Sequence, residues 1–101
     1  MKSQFRIRAK EAIIQAYTQR LFLIQNGKSK NFVTHDHCTT MREDAGRLLS
    51  DNELAKFLIK HKDLIFNMVP APNRPLIERI NSLYHEAVNL TNKTPGAKAH
   101  V

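Results

Sequence analysis

Apolar residues recur every three or four positions through most of this chain, which is the spacing of one face of an α-helix. Four segments follow this pattern, and the 101 residues include only three glycines. Folds made of many short strands need turn residues more often than that. The sequence therefore predicts an all-α protein, a compact bundle of about four helices.

The first of these segments runs from about Ala9 to Gln25, where Asn26 and Gly27 form a common helix stop. Apolar side chains occupy most of its circumference. Such a helix is expected at the centre of the core or in a dimer interface, because an apolar surface on all sides needs cover on all sides. The second option makes a homodimer part of the prediction.

Two capping-box patterns indicate where further helices begin, since a hydroxyl and a carboxylate three residues apart satisfy free backbone N–H groups. These pairs are Thr40 with Glu43, and Ser50 with Glu53. The stretch before Thr40 shows no periodicity and is predicted to be a loop. The helix that begins after Ser50 is expected to continue to Val69.

Prolines separate that helix from the last one. Three of them lie between positions 70 and 75, and each lacks the N–H group that a helix interior needs. Pro75 suits the first turn of a final helix capped near Asn73. We predict one helical domain over residues 1–92 and a flexible C-terminal tail over residues 93–101, which has no apolar stripe.

Positive charge is concentrated at the N-terminal end. Seven of the first thirty residues are Lys or Arg and one is acidic, which accounts for most of the net charge of +7. A concentrated cationic segment attracts polyanions at long range. We therefore predict a nucleic-acid-binding surface made of Lys2, Gln4, Arg6, Arg8, Lys10, Lys28 and Lys30.

Polar and apolar residues alternate at the start of the chain, as they do in a short strand, with Gln4, Arg6 and Arg8 on one side. A strand followed by a helix that stops at Asn26 and then by another helix resembles the ribbon-helix-helix repressors, whose paired strands enter the DNA major groove. This resemblance implies that the three polar residues read bases. The capped first helix and the tight helix connection of that family are absent from this sequence.

The same segment also fits the first turns of helix one, starting near Ser3, with Lys2, Arg6 and Lys10 spaced four residues apart. Cations at a helix N-terminus oppose the macrodipole, which costs about a few tenths of a kcal/mol. This unfavourable placement favours either a strand or a bound anion in this segment. If the segment is instead a helix turn whose charges are solvated, neither is needed. The sequence leaves these interpretations open.

Two functions follow from the charge and the helical pattern. The first is a small basic regulatory protein that contacts the phosphates of nucleic acid, with duplex DNA as the expected target. The second is a helical adaptor or inhibitor that docks on an acidic protein surface. Because no phosphate loop, nucleophile elbow or catalytic carboxylate pair is present, we expect neither an enzyme nor a cofactor.

Three potential zinc ligands, His35, His37 and Cys38, lie within four residues. No second ligand pair stands at a suitable distance, so these side chains are interpreted as incidental loop residues and no metal site is predicted. Cys38 is the single cysteine, which excludes an internal disulfide and favours a cytoplasmic location. No apolar run approaches the length of a membrane-spanning helix, so no integral membrane association is expected.

Overall fold

The computed structural model describes residues 4–28, 34–70 and 72–92. These residues form five helices and no strand, so the all-helical prediction is confirmed. The helices are α1 (Phe5–Gln25), α2 (His35–Arg47), α3 (Asp51–Lys60), α4 (Lys62–Met68) and α5 (Arg74–Asn92). Buried apolar residues from all five helices form one core. No helix in the described ranges combines the length and hydropathy needed to cross a membrane.

Helix α1 is central, because each of the other four helices contacts it. This position explains why apolar residues surround most of its circumference. α1 also ends where the sequence predicts. Gly27 follows it with a φ of 68°, a left-handed conformation that glycine adopts without steric cost.

The prediction of an N-terminal strand is wrong for the described residues, because α1 already begins at Phe5. The Phe5 side chain is fully buried, which anchors this turn to the core. Gln4 occupies the N-cap without a side-chain hydrogen bond. Asp51 of α3 supplies a cap instead, since its Oδ1 accepts a hydrogen bond from the Arg6 backbone N–H at 2.9 Å. The strand on which the resemblance to the ribbon-helix-helix repressors depends is therefore absent from the described residues.

Helix α2 begins earlier than predicted. The Thr34 hydroxyl oxygen accepts a hydrogen bond from the His37 backbone N–H at 3.1 Å, so Thr34 is the N-cap. Thr40, the predicted start, lies inside the helix. Residues Cys38, Met41 and Ala45 form its buried stripe. Much of the predicted loop is therefore helix, and residues 29–33 lie outside the described part of the chain.

The capping box at Ser50 is confirmed. Its Oγ accepts from the Glu53 backbone N–H at 3.1 Å, and Glu53 Oε1 accepts from the Ser50 backbone N–H at 3.2 Å. The helix predicted to run on to Val69 is divided into α3 and α4 at His61, which has φ −107° and ψ 19°. This division gives the fifth helix.

The last helix also begins as predicted. Asn73 Oδ1 accepts a hydrogen bond from the Leu76 backbone N–H at 3.3 Å, and Pro75 lies in the first turn. α5 ends at Asn92, the predicted domain end. The predicted tail, residues 93–101, lies outside the described residues, and the homodimer stays a prediction.

Candidate binding surface

The predicted cationic residues do not form one surface. Lys2 and Lys30 lie outside the described residues. Lys28 follows the C-terminal end of α1 and Arg6 lies in its first turn, so the two are separated by roughly 30 Å along the helix axis at 1.5 Å per residue. The charges that the sequence places in one N-terminal segment are thus divided between the two ends of α1.

Arg8 lies on the α5 side of α1 and is paired with a carboxylate of this chain. Its Nη1 and Nη2 groups donate to Glu86 Oε2 at 2.9 Å and Oε1 at 2.8 Å. This two-bond geometry is the strongest that arginine makes with a carboxylate, and it lowers the pKa of Glu86 below its ordinary value. The positive charge of Arg8 is therefore largely compensated within the molecule.

The same edge of α1 makes further polar contacts with α5. Gln15 Oε1 accepts from Arg79 Nη1 at 3.4 Å, and Gln19 Oε1 accepts from Asn73 Nδ2 at 2.9 Å. Residue numbers rise along α1 as they fall along α5, so the two helices are antiparallel. The polar side chains on this edge of α1 thus bind α5 and its N-cap along the line where the two helices meet.

Two cations of α1 stabilise the C-terminal ends of other helices. Lys10 Nζ donates to the Gly46 carbonyl oxygen of α2 at 3.2 Å. The buried Arg20 donates from Nε to the Met68 carbonyl oxygen at 3.1 Å and from Nη2 to the Asn67 carbonyl oxygen at 3.2 Å, both in α4. The last carbonyl groups of a helix lack intrahelical partners and form the negative end of its dipole, so a cation is favourable there. Sequence reasoning missed the role of Arg20, whose only signal was a cation within an apolar segment.

The remaining cations of this region border the contact between α1 and α2. Within the described residues, the guanidinium groups of Arg6 and Arg42 form no hydrogen bond or ion pair. Arg6 and Lys10 are one turn apart on α1, and Arg42 lies on α2 beside Ile14. Arg6 has the Asp51 carboxylate on its backbone N–H, so Arg42 is the less compensated of the two arginines.

Between these helices lies a groove of about 240 Å³, lined by Ile14, Thr39, Arg42 and Glu43. The Glu43 carboxylate is 3.9 Å from Arg47 Nη2, so its charge is partly compensated. Ile7, two turns before Ile14, exposes 46% of its surface. We call Arg6, Ile7, Lys10, Ile14 and Arg42 together the α1–α2 surface.

The His and Cys residues of α2 are spread over different environments. His35 is exposed, with Nδ1 3.9 Å from Asp36 Oδ1. The His37 ring packs edge-on against the buried Tyr17 ring at 5.9 Å. Cys38 is fully buried, and burial raises the pKa of its thiol, which disfavours the reactive thiolate. Among the described side chains, no three His, Cys, Asp or Glu are placed to hold a metal ion.

Comparisons with family models, with curated proteins and with solved structures give no match to this chain. Its function therefore has to be inferred from the chemistry of its own surface. The α1–α2 surface is the strongest candidate, because it combines the exposed Ile7 with the Arg42 guanidinium, which forms no ion pair with a described residue.

Proposed function

We propose that this protein is a helical interaction module that docks on an acidic partner protein through the α1–α2 surface. One observation carries the proposal: Arg42 lines the groove beside Ile14 and its guanidinium forms no ion pair with a described residue, while Ile7, two turns before Ile14 on α1, is half exposed. Cations of this kind steer an acidic partner into place, and apolar contact then supplies affinity.

Nucleic-acid binding remains the second candidate, favoured by the net charge of +7 and by the guanidinium groups of Arg6 and Arg42, which have no ion pair within the described ranges. Its affinity would come mainly from many phosphate contacts. Two observations support the protein partner over it. Arg8 is already bound to Glu86, and Lys28 lies at the far end of α1 from Arg6.

Capture with charge-reversal variants tests the proposal. The double variant Arg6→Glu with Arg42→Glu reverses the proposed surface, and Lys56→Glu with Lys60→Glu makes the same change in net charge on the exposed face of α3. The tagged protein is incubated with nuclease-treated extract and bound proteins are quantified. We expect the first variant to capture at least about tenfold less of an acidic partner than the wild-type protein does, because close charge pairs at an interface contribute this much to affinity. The control variant should capture as much as the wild-type protein.

Three outcomes contradict the proposal. Equal loss in both variants means that net charge alone governs capture. Loss of all capture after nuclease treatment, with retention of duplex DNA in a gel-shift assay, favours the second candidate. Failure of the wild-type protein to recover any acidic protein removes the reason for proposing a docking function.

A further inference from the structure

A cleft of about 390 Å³ lies between α1 and α5, and the proposed function makes no use of it. Its lining residues are Arg8, Glu11, Arg79, Ser82, Leu83 and Glu86. None of them belongs to the α1–α2 surface. Cavities of this volume accept small organic molecules, so the chemistry of the lining determines which class of molecule fits.

Contacts between α1 and α5 lie at both ends of the cleft. At one end Arg8 donates two hydrogen bonds, of 2.9 and 2.8 Å, to the Glu86 carboxylate. At the other end Arg79 Nη1 donates to Gln15 Oε1 at 3.4 Å. Gln15 follows Arg8 by seven positions, a rise of roughly 10 Å along α1. This span suits a molecule of the size of a free amino acid.

Two charged side chains of the cleft have no charged partner among the described residues. Glu11, one turn from both Arg8 and Gln15, forms no hydrogen bond or ion pair there. Arg79 binds the Gln15 amide but no described carboxylate. Arg8 and Glu86 compensate each other. The cleft therefore presents one negative and one positive charge on facing helices.

We infer that this cleft binds a small zwitterion of the amino acid class, whose carboxylate meets Arg79 and whose ammonium group meets Glu11. A guanidinium donates two parallel hydrogen bonds to a carboxylate, and a glutamate oxygen accepts from an ammonium group. The Ser82 hydroxyl, one turn from Arg79 on α5, is a further donor for the same carboxylate. Leu83, which is almost fully buried, gives an aliphatic side chain an apolar contact.

Charge balance selects this class of ligand. Two arginines and two glutamates line the cleft, so its lining carries no net charge. A simple anion would meet Arg79 but would be repelled by Glu11, and a simple cation would meet Glu11 but would be repelled by Arg79. A molecule with both charges places each of them beside its opposite.

Three probes of similar shape test the inference. L-leucine carries both charges, isocaproate lacks the ammonium group and isoamylamine lacks the carboxylate. Each is titrated into the full chain, and binding is followed by amide chemical shifts in NMR spectra. We expect leucine to bind about fivefold more tightly than either analogue, as for one solvent-exposed ion pair, with the shifts centred on the lining residues of α1 and α5.

Two variants separate the two contacts. Glu11→Gln is expected to weaken leucine binding by about fivefold and to leave isocaproate binding no weaker, because isocaproate has no ammonium group. Arg79→Gln is expected to weaken the binding of leucine and isocaproate but not of isoamylamine. Glu78→Gln, exposed on α5 outside the cleft, is the matched control and should leave leucine affinity unchanged.

The opposite results overturn the inference. Equal affinity for the three probes, or no shift with leucine at tens of millimolar, means that the cleft does not select a zwitterion. Leucine binding that neither Glu11→Gln nor Arg79→Gln weakens means that leucine binds elsewhere. These results are independent of capture on acidic proteins, because no residue of the α1–α2 surface lines the cleft.

Discussion

Arg20 shows how a single cation in an apolar helix becomes part of the core. Only 8% of its surface is exposed, and its guanidinium donates to two carbonyl oxygens at the end of α4. A buried charge is costly unless it is hydrogen-bonded, and these carbonyls lack helical partners. The guanidinium and the carbonyl oxygens therefore satisfy each other's hydrogen-bonding capacity, and these bonds hold α4 against α1.

Replacement of Arg20 by methionine is expected to destabilise the protein by about 2–3 kcal/mol, because it leaves the carbonyl oxygens of Asn67 and Met68 without a charged donor. Urea unfolding followed by circular dichroism measures this loss. Arg47→Ala, which removes exposed ion pairs, is the control and should change stability by less than about 1 kcal/mol. Similar losses in the two variants would contradict the role assigned to Arg20.

At the scale of the helices, local capping patterns predict starts correctly only where packing agrees with them. Ser50 caps α3 because Leu54 and Leu58 then face the core. The equivalent pattern at Thr40 is overruled, since a cap at Thr34 allows Cys38 to join the buried stripe of α2. Burial of apolar area outweighs the contribution of one cap.

Alanine substitutions distinguish the two patterns. Ser50→Ala is expected to cost about 1 kcal/mol of unfolding free energy, because the Glu53 backbone N–H loses its acceptor. Thr40→Ala is expected to change stability by less than about 0.5 kcal/mol, because Thr40 is exposed inside a helix where alanine is the better residue. Chemical denaturation of both variants tests this, and a large loss in Thr40→Ala would place the start of α2 where the sequence pattern predicts it.

At the scale of the whole molecule, ionisable groups link stability to pH. Burial, followed by the charge of Lys60, lowers the pKa of His61 at the break between α3 and α4. The hydrogen bonds from Arg8 lower the pKa of Glu86, which joins α1 to α5. For both groups the unfolded chain binds a proton more readily than the folded chain, so stability falls as the pH falls.

Unfolding midpoints at a series of pH values are expected to show two acid-dependent decreases. The first lies below about pH 6.5, where unfolded histidine gains its proton, and the second lies below about pH 4, where glutamate does. His61→Gln should reduce the first and Glu86→Gln the second. A wild-type midpoint that stays constant from neutral to acidic pH would contradict both assignments.

Much of the fold follows from local pattern. Helical spacing and scarce glycine predict the all-α class, and the helix stop at Gly27 and the helix start at Asn73 are correct because turn and cap chemistry depends on neighbouring residues. The central position of α1 also follows from sequence, since an apolar circumference requires cover on all sides. Charge composition likewise predicts attraction to an anionic partner, which stays a prediction.

The tertiary structure decided which charges are free. Arg8 meets Glu86 across 78 positions of sequence, and Lys10 meets Gly46 across 36. No local pattern reports such partners, because they depend on how helices pack rather than on spacing along one of them. The sequence alone determined that α1 is apolar and cationic. Packing determined that most of its described cations hold neighbouring helices, and that Arg42 of α2 lines an open groove without an ion pair among the described residues.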